Sequence, residues 1–449
     1  MKGMTGQPVQ PGSDAMSVET QPKTEQNQTP SLGETFNIFA KIGLLSFGGP
    51  AAQISLMHRF LVDETRWLNE KQFLNALSFC MLLPGPEAMQ LATFAGWRLH
   101  GLVGGLIAGL LFVLPGAVVI LALATLYSLF GETTLVGTLF LGVKAAVLVI
   151  VVEALLRVSK KALKQNMHWA IAAFAFIGIF FFSLPYPLIV LIAGLFGFFF
   201  GAEQQETIQQ SEKISVSGMQ TLTKVVIWLA IWWVPILLIS QFSGQPILTD
   251  IGWFFSKLAV VTFGGAYAVL AYMGQDVVAN YGWLTAGEMM DGLGLAETTP
   301  GPLILVTEFV GFLAAFREGG LPLAFAGAFV TLWVTFVPCF LWIFAGAPYI
   351  DWICNQPRLN GALSAITAAV VGVILNLSIW FALHVFFGTI AVSSIGPLNV
   401  LQPDIATLDW RVVILAALCG LLLLRFHWSI GRVLIVSAAS GWLLSTFMT

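Results

Sequence analysis

Charge is what this sequence has least of. Asp, Glu, Lys and Arg make up 10% of its 449 residues, where a soluble domain carries about 25%. So few charges cannot cover a water-facing surface of this size, which excludes a soluble globular fold. The net charge of −3 leaves no basic field, which excludes nucleic acid as a partner. The four cysteines, Cys80, Cys339, Cys354 and Cys419, stand far apart and form no zinc knuckle, CxxC pair or disulfide framework. His58, His100, His168, His384 and His427 are equally scattered, so no metal site is expected. A phosphate-binding lysine loop is missing, which argues against ATP-driven chemistry. No clustered His/Asp/Glu set marks an enzyme, and no cofactor is expected. Residues 1–33 contain no apolar run. Rich in Gln, Thr, Pro and Ser, they read as a disordered polar tail rather than a signal peptide.

What the chain does have is hydrocarbon. Hydrophobic residues make up 57% of it, and its mean hydropathy is +0.87. Thirteen apolar segments fill nearly everything after residue 34, at 35–57, 73–97, 102–128, 134–156, 168–184, 186–201, 222–240, 251–273, 288–315, 321–347, 361–388, 410–425 and 429–448. Their length suits helices crossing a bilayer, whereas a barrel would show short alternating strands. The expected class is an all-α polytopic membrane protein, with the lipid bilayer as its main surroundings. Several of the 15 tryptophans, Trp67, Trp169, Trp283, Trp352 and Trp410 among them, stand near segment ends as interfacial anchors.

The two halves repeat. Sliding the chain by 216 residues lays FAKIGLLSFGGP (39–50) on FSKLAVVTFGGA (255–266), Trp67-Leu68 on Trp283-Leu284, and Pro84-Gly85-Pro86 on Pro300-Gly301-Pro302. Further on the offset becomes 223, where Pro115 meets Pro338 and Glu153 meets Asn376. Each half holds six segments. The parts are a tail at 1–33, repeat 1 at 34–201, a polar hinge with one unpaired transmembrane segment at 202–250, and repeat 2 at 251–449. Six segments return the chain to its starting side and the seventh carries it across. The second repeat is therefore inverted, a plan common among secondary transporters.

Lys and Arg favour cytoplasmic loops. Arg157, Lys160, Lys161 and Lys164 place the loop after segment 4 inside. Thirteen full spans would put Arg59, Arg66 and Lys71 outside. That conflict vanishes if segments 1, 2, 8 and 9 are re-entrant hairpins, leaving nine spanning helices. Each of the four carries a helix breaker near its middle, at Gly48-Gly49-Pro50, Pro84-Gly85-Pro86, Gly264-Gly265 or Pro300-Gly301-Pro302.

A helix broken inside a membrane leaves free amides at each new N-terminus, and such ends attract anions. Pro86 and Pro302 suit the first helical position. The candidate anion site therefore comprises Gly48, Gly49, Pro84, Gly85, Pro86, Gly264, Gly265, Pro300, Gly301 and Pro302, with Ser46 and Thr262 adding hydroxyls. Lys41 and Lys257 are candidates to neutralise the anion, and Lys144 is a weaker one. Glu87, Glu153, Glu297 and Glu308 are the carboxylates inside apolar runs. A carboxyl group taken out of water holds its proton more tightly, and Glu87 and Glu297 are the candidates for coupling anion export to proton entry. The rival reading is internal ion pairing with Lys or Arg98.

These residues resemble the chromate ion transporter family, in its long-chain type with two fused halves. The resemblance lies in FGGPAAQISLMHRFLV (47–62), LLPGPEAMQLATFAGW (82–97), FVLPG (112–116), FGGAYAVLAYM (263–273) and GLAETTPGPLILVTEFVGF (294–312), and extends from Glu34 to the C-terminus. It implies a multi-pass protein of the bacterial inner membrane that exports chromate and confers chromate resistance. Sulfate, a similar tetrahedral dianion, is the alternative cargo, in uptake. The residues themselves do not separate the two ions, and they leave the assembly state open, a homo-oligomer included. The hairpin topology is decided by a single cysteine at Gln275: a membrane-impermeant thiol reagent should label it from the periplasmic side, and labelling from the cytoplasm means that segments 8 and 9 span.

Overall fold

A computed structural model describes residues 30–131, 133–201, 218–263, 265–396 and 398–447. Most of the expected tail and hinge, and Gly264, lie outside the described residues. The first helix begins inside the stretch assigned to the tail, because Ser31 and Glu34 form a reciprocal cap at its N-terminus.

The helices are α1 (Leu32–Leu45), α2 (Gly49–His58), α3 (Glu70–Leu82), α4 (Glu87–Phe130), α5 (Thr134–Ala162), α6 (Asn166–Phe180), α7 (Tyr186–Phe200), α8 (Gly218–Phe242), α9 (Pro246–Val261), α10 (Ala266–Gln275), α11 (Ala286–Thr298), α12 (Val306–Gly346), α13 (Ile350–Cys354), α14 (Pro357–Phe386), α15 (Trp410–Gly420) and α16 (Ile430–Phe447). The chain is a multi-pass helical membrane protein. Among the described residues, six helical runs are long and apolar enough to cross a bilayer: Glu87–Phe130, Thr134–Ala162, Gly218–Phe242, Leu303–Cys354, Pro357–Phe386 and Ile430–Phe447. α6 and α7, expected as full spans, have only 15 residues each. At 1.5 Å per residue that is about 22 Å, short of a hydrocarbon core of roughly 30 Å. The purely α-helical expectation needs one correction. Strands β1 (Ile390–Ile395) and β2 (Leu398–Pro403) form an antiparallel hairpin between α14 and α15. The stretch is β-branched and lacks helix periodicity. Asn399 fastens it to the α6–α7 turn, its backbone amide donating to the Phe181 carbonyl and its side-chain amide to the Ser183 hydroxyl.

The elements of the two halves recur in one order. Helix pairs α1–α2 and α9–α10 are broken at Ser46–Gly48 and around Gly265. π-helical turns follow at Arg59–Glu64 and Asp276–Asn280. Matching reciprocal caps, Asn69 with Gln72 and Thr285 with Glu288, start α3 and α11. α4 and α12 then fold back on themselves at His100–Gly101 and Gly319–Gly320, where the second residue of each pair has positive φ. α4 and α12 pack on each other at the centre, with α1 against α4 and α9 against α12. α5 and α14 pack beside them, flanked by α16 and by α6–α7.

The breaks are tied across the halves. The Gly85 amide donates to the Thr262 carbonyl, and the Gly301 amide to the Ser46 carbonyl, each at 2.8 Å. These are equivalent positions, so each Pro-Gly-Pro loop is held by the broken helix of the other half. Both glycines need φ values open to glycine, +121° and +92°. A side chain at Gly85 would also meet Gln90 Nε2 at 2.8 Å. Gly85→Ala and Gly301→Ala should each lower stability by ~1–3 kcal/mol from backbone strain, read as a lower thermal midpoint of the purified protein in detergent without any anion.

Candidate functional site

The breaks do not contribute equally. A cavity of about 250 Å³ lies where the starts of α2, α4 and α10 meet the C-terminal end of α5. At ~30 Å³ per water it has room for about eight, enough for a tetrahedral oxyanion with part of its hydration shell. Pro50 and Ala51 come from the first Gly-Gly-Pro break, Gly85 and Glu87 from the first Pro-Gly-Pro loop, and Gly265, Ala266 and Tyr267 from the break in the second half. α5 brings Arg157 and Lys161. Leu77, Cys80 and Met81 of α3 add apolar wall, and Thr367 of α14 adds a hydroxyl.

The fourth break is sealed. Pro300, Gly301 and Pro302 are buried, and a side chain at Gly116 would stand 2.1 Å from the Pro300 carbonyl, so this loop lies flush on α4. In its first-half counterpart Pro84 and Pro86 are half-buried, and Gly85 lines the cavity. Pro86 has extended ψ and precedes the helix, whose first residue is Glu87. It therefore caps α4 rather than occupying the expected first helical position. Pro302 likewise precedes its helical turn.

Two glutamines brace these loops. Gln53 donates to the Gly301 carbonyl at 2.6 Å and weakly to that of Ser46, and Gln90 donates to the Pro84 carbonyl at 2.7 Å. The remaining oxygens of both side chains, and the Ser46 hydroxyl, are buried with no hydrogen-bond partner among the described residues. A membrane interior retains such groups at a cost. The sequence does carry the signal, an amide side chain inside the apolar runs AAQISLM and MQLATF, yet motif reasoning passes over it. The Thr262 hydroxyl is buried and donates to the Leu258 carbonyl at 2.6 Å.

The lysines singled out from the repeats stand elsewhere. Lys41 and Lys257 lie on exposed faces of α1 and α9 and do not line the cavity. Lys257 sits over the Tyr272 ring at 5.5 Å. Lys144 is committed to Asp291 at 3.5 Å, and Tyr127 also donates to that carboxylate at 2.8 Å. The cations that reach the cavity, Arg157 and Lys161, are the ones whose charge in sequence marks the cytoplasmic loop. In the folded chain the last turns of α5 place them, still exposed, at the rim of the cavity.

Of the carboxylates, Glu87 lines the cavity with Lys161 and Arg157. Glu297 is buried behind Tyr267, whose hydroxyl donates to it at 2.7 Å. Arg157 pairs with Glu153, one helical turn before it. Glu308 is fully buried, and neither of its oxygens has a partner among the described residues. Groups of His, Cys, Asp and Glu able to hold a metal ion do not occur among the described residues. Two cations, one of them paired with Glu153, helix N-termini and one carboxylate surround a space of several waters, and donors of this kind are the chemistry that suits an anion.

Comparison with known proteins agrees in character. The family model for chromate transporters matches residues 33–198 and 249–442. A chromate transport protein of Pseudomonas aeruginosa is 34% identical over 350 residues, covering 77% of this chain and 79% of the relative. One from Cupriavidus metallidurans is 30% identical over 361 residues, covering 80% and 83%. An uncharacterised transporter of Methanocaldococcus jannaschii is 27% identical over 365 residues, covering 81% and 87%. No solved structure matches. Two matched regions, one in each half, and relatives of this similarity over most of their length establish that the chain belongs to the chromate transporter family.

Proposed function

We propose that this protein is a secondary transporter that moves chromate, or a tetrahedral oxyanion of similar size, out of the cell across the bacterial inner membrane. The observation that carries this reading is the meeting of three helix breaks with Arg157 and Lys161 on one cavity, while the equivalent fourth break is sealed. Two inverted repeats with one member open and the other closed correspond to one side of an alternating-access cycle. The end bearing Arg157, Lys161 and Lys164 faces the cytoplasm by its charge. The open cavity is thus the inward-facing one, the side from which an exporter loads.

A dianion in a mostly apolar cavity needs compensating charge. Lys161 supplies one positive charge, Arg157 supplies a second that it shares with Glu153, and the amides at the starts of α2, α4 and α10 supply partial ones. Glu87 opposes them. With the site empty its carboxylate balances Lys161. With the dianion present, like-charge repulsion favours protonation of Glu87. Anion and proton are then bound together rather than in turn. This geometry favours co-transport over the proton entry expected from the sequence, with the membrane potential supplying the outward force. One net negative charge leaving a negative interior gains about 2.3 kcal/mol per 100 mV. Glu297, held by Tyr267, stands one hydrogen bond behind the cavity wall, while Glu153 is the partner of Arg157 when no anion is bound. Lys41 and Lys257 hold the broken helices at the interface by snorkelling.

Flux in proteoliposomes tests the proposal. Chromate uptake into vesicles should follow an imposed potential, and Lys161→Gln should raise its half-saturation concentration about tenfold or more through loss of a charged hydrogen bond. Lys41→Met should leave it near the parent value. Glu87→Gln should keep transport and flatten its dependence on pH. Sulfate flux that exceeds chromate flux, or inward accumulation in cells, would make the protein a sulfate uptake system instead. Accessibility gives a separate check in a background with the four native cysteines replaced. Thr367→Cys should react with a reagent added from the cytoplasmic side and be protected by chromate, whereas Leu303→Cys, in the sealed loop, should not react.

A further inference from the structure

A second polar cavity lies far along the chain from the breaks. It occupies about 360 Å³ between the start of α6, the end of α7 and the start of α14, and Lys164, His168, Asn360 and Ser364 line it. The Lys164 ammonium has no carboxylate partner among the described residues. Nε2 of His168 meets the Ser364 hydroxyl at 3.2 Å, while its Nδ1 is enclosed and has no partner among the described residues. The floor is backbone, because Gly197 and Gly361 bring α7 and α14 into direct contact.

The cavity continues into hydrocarbon. An adjoining groove of about 300 Å³ runs along α6 and α7 toward the membrane interior, and it shares Met167, Ile171 and Phe196 with the polar cavity. Ala170, Ala175, Ala193 and Ala369 give the groove its depth. Phe174 and Ile192 form its exposed edges. A cationic pocket that opens into an apolar channel has the form of an amphiphile with one anionic head. The location fits as well. By its cluster of Arg157, Lys160, Lys161 and Lys164 the end of α5 reads as the cytoplasmic one, where anionic headgroups lie, and Trp169 stands exposed beside it. α6 and α7 are about 22 Å long and leave the local bilayer mismatched, so a lipid fixed against them fills what a free bilayer would have to thin to meet.

We propose that this cavity and groove hold one anionic phospholipid of the cytoplasmic leaflet, with its phosphate beside Lys164 and His168 and an acyl chain laid over Ala170 between Phe174 and Ile192. Anionic charge is required because the lining presents the Lys164 ammonium beside polar side chains and no carboxylate. An acyl chain is required because the groove is apolar along its length.

The test is thermal stability of detergent-purified, delipidated full-length protein titrated with dioleoylphosphatidylglycerol, dioleoylphosphatidylcholine or inorganic phosphate. Phosphatidylglycerol should raise the melting midpoint well above the effect of phosphatidylcholine, and phosphate alone should do nothing. Lys164→Gln should need about fivefold more phosphatidylglycerol for the same rise, the effect of one basic residue near a phosphate. Lys164→Arg should behave as the parent, and Ala170→Trp, which fills the groove from its exposed side, should abolish the rise. Equal effects of the two lipids, an equal effect of phosphate, or an unchanged titration in Lys164→Gln and Ala170→Trp would overturn the proposal. So would a rise that emerges only when residues 203–217 are replaced by a Gly-Ser linker, because the chain itself would then be the occupant.

Discussion

Inside a bilayer every backbone N–H and C=O needs a partner, and this fold is arranged around four places where the helix cannot provide one. The chain meets that demand by exchange. Gly85 of the first half donates to Thr262 of the second, and Gly301 of the second donates to Ser46 of the first. At these two glycines the partner comes from the other half. The two repeats are thereby obliged to assemble face to face, and the exchanged bonds bring the broken ends of α1–α2 and α9–α10 to the middle of the protein, against the α4–α12 pair. Apolar packing around them is extensive but unspecific. These two backbone bonds fix which loop meets which helix.

A duplicated scaffold gives two equivalent loops, yet the residues around them are no longer equivalent. Gln53 reaches the second Pro-Gly-Pro loop and closes it onto α4, and its counterpart in the second half is Val269. Glu87 follows the first loop where Leu303 follows the second. Arg157 and Lys161 stand above the first loop, while the matching stretch of α14 carries Trp380 and His384. Charge and polar bracing have therefore accumulated on one side of a symmetric frame. The lipid-facing side of the same frame is just as uneven, because the short α6 and α7, capped by the β hairpin, leave a recess where a full-length pair would meet the bilayer.

The membrane class, the duplication and the positions of all four breaks can be read from the residues directly. Hydrocarbon-length apolar runs, a constant offset of 216 and the Gly-Gly and Pro-Gly-Pro doublets are local signals that survive without any knowledge of packing. Lys41 and Lys257 illustrate the limit. Their symmetric placement two turns before the breaks marks them equally, but whether a helical side chain points to a cavity or to lipid depends on the neighbour, and both lie on exposed faces. Arg157 and Lys161 show the converse. In sequence they are loop charges that set orientation, and only the packing of α5 beside the breaks puts them on the rim of the cavity.

The sequence by itself determined that the protein lives in a membrane, that its halves are related, and where its helices must fail, because hydrophobic length and the backbone chemistry of glycine and proline act within a few residues. Tertiary structure alone decided which breaks share a cavity, which loop is sealed, and which cations and glutamines serve them. Those outcomes depend on close approach between segments far apart along the chain, and a one-dimensional pattern holds no record of that distance.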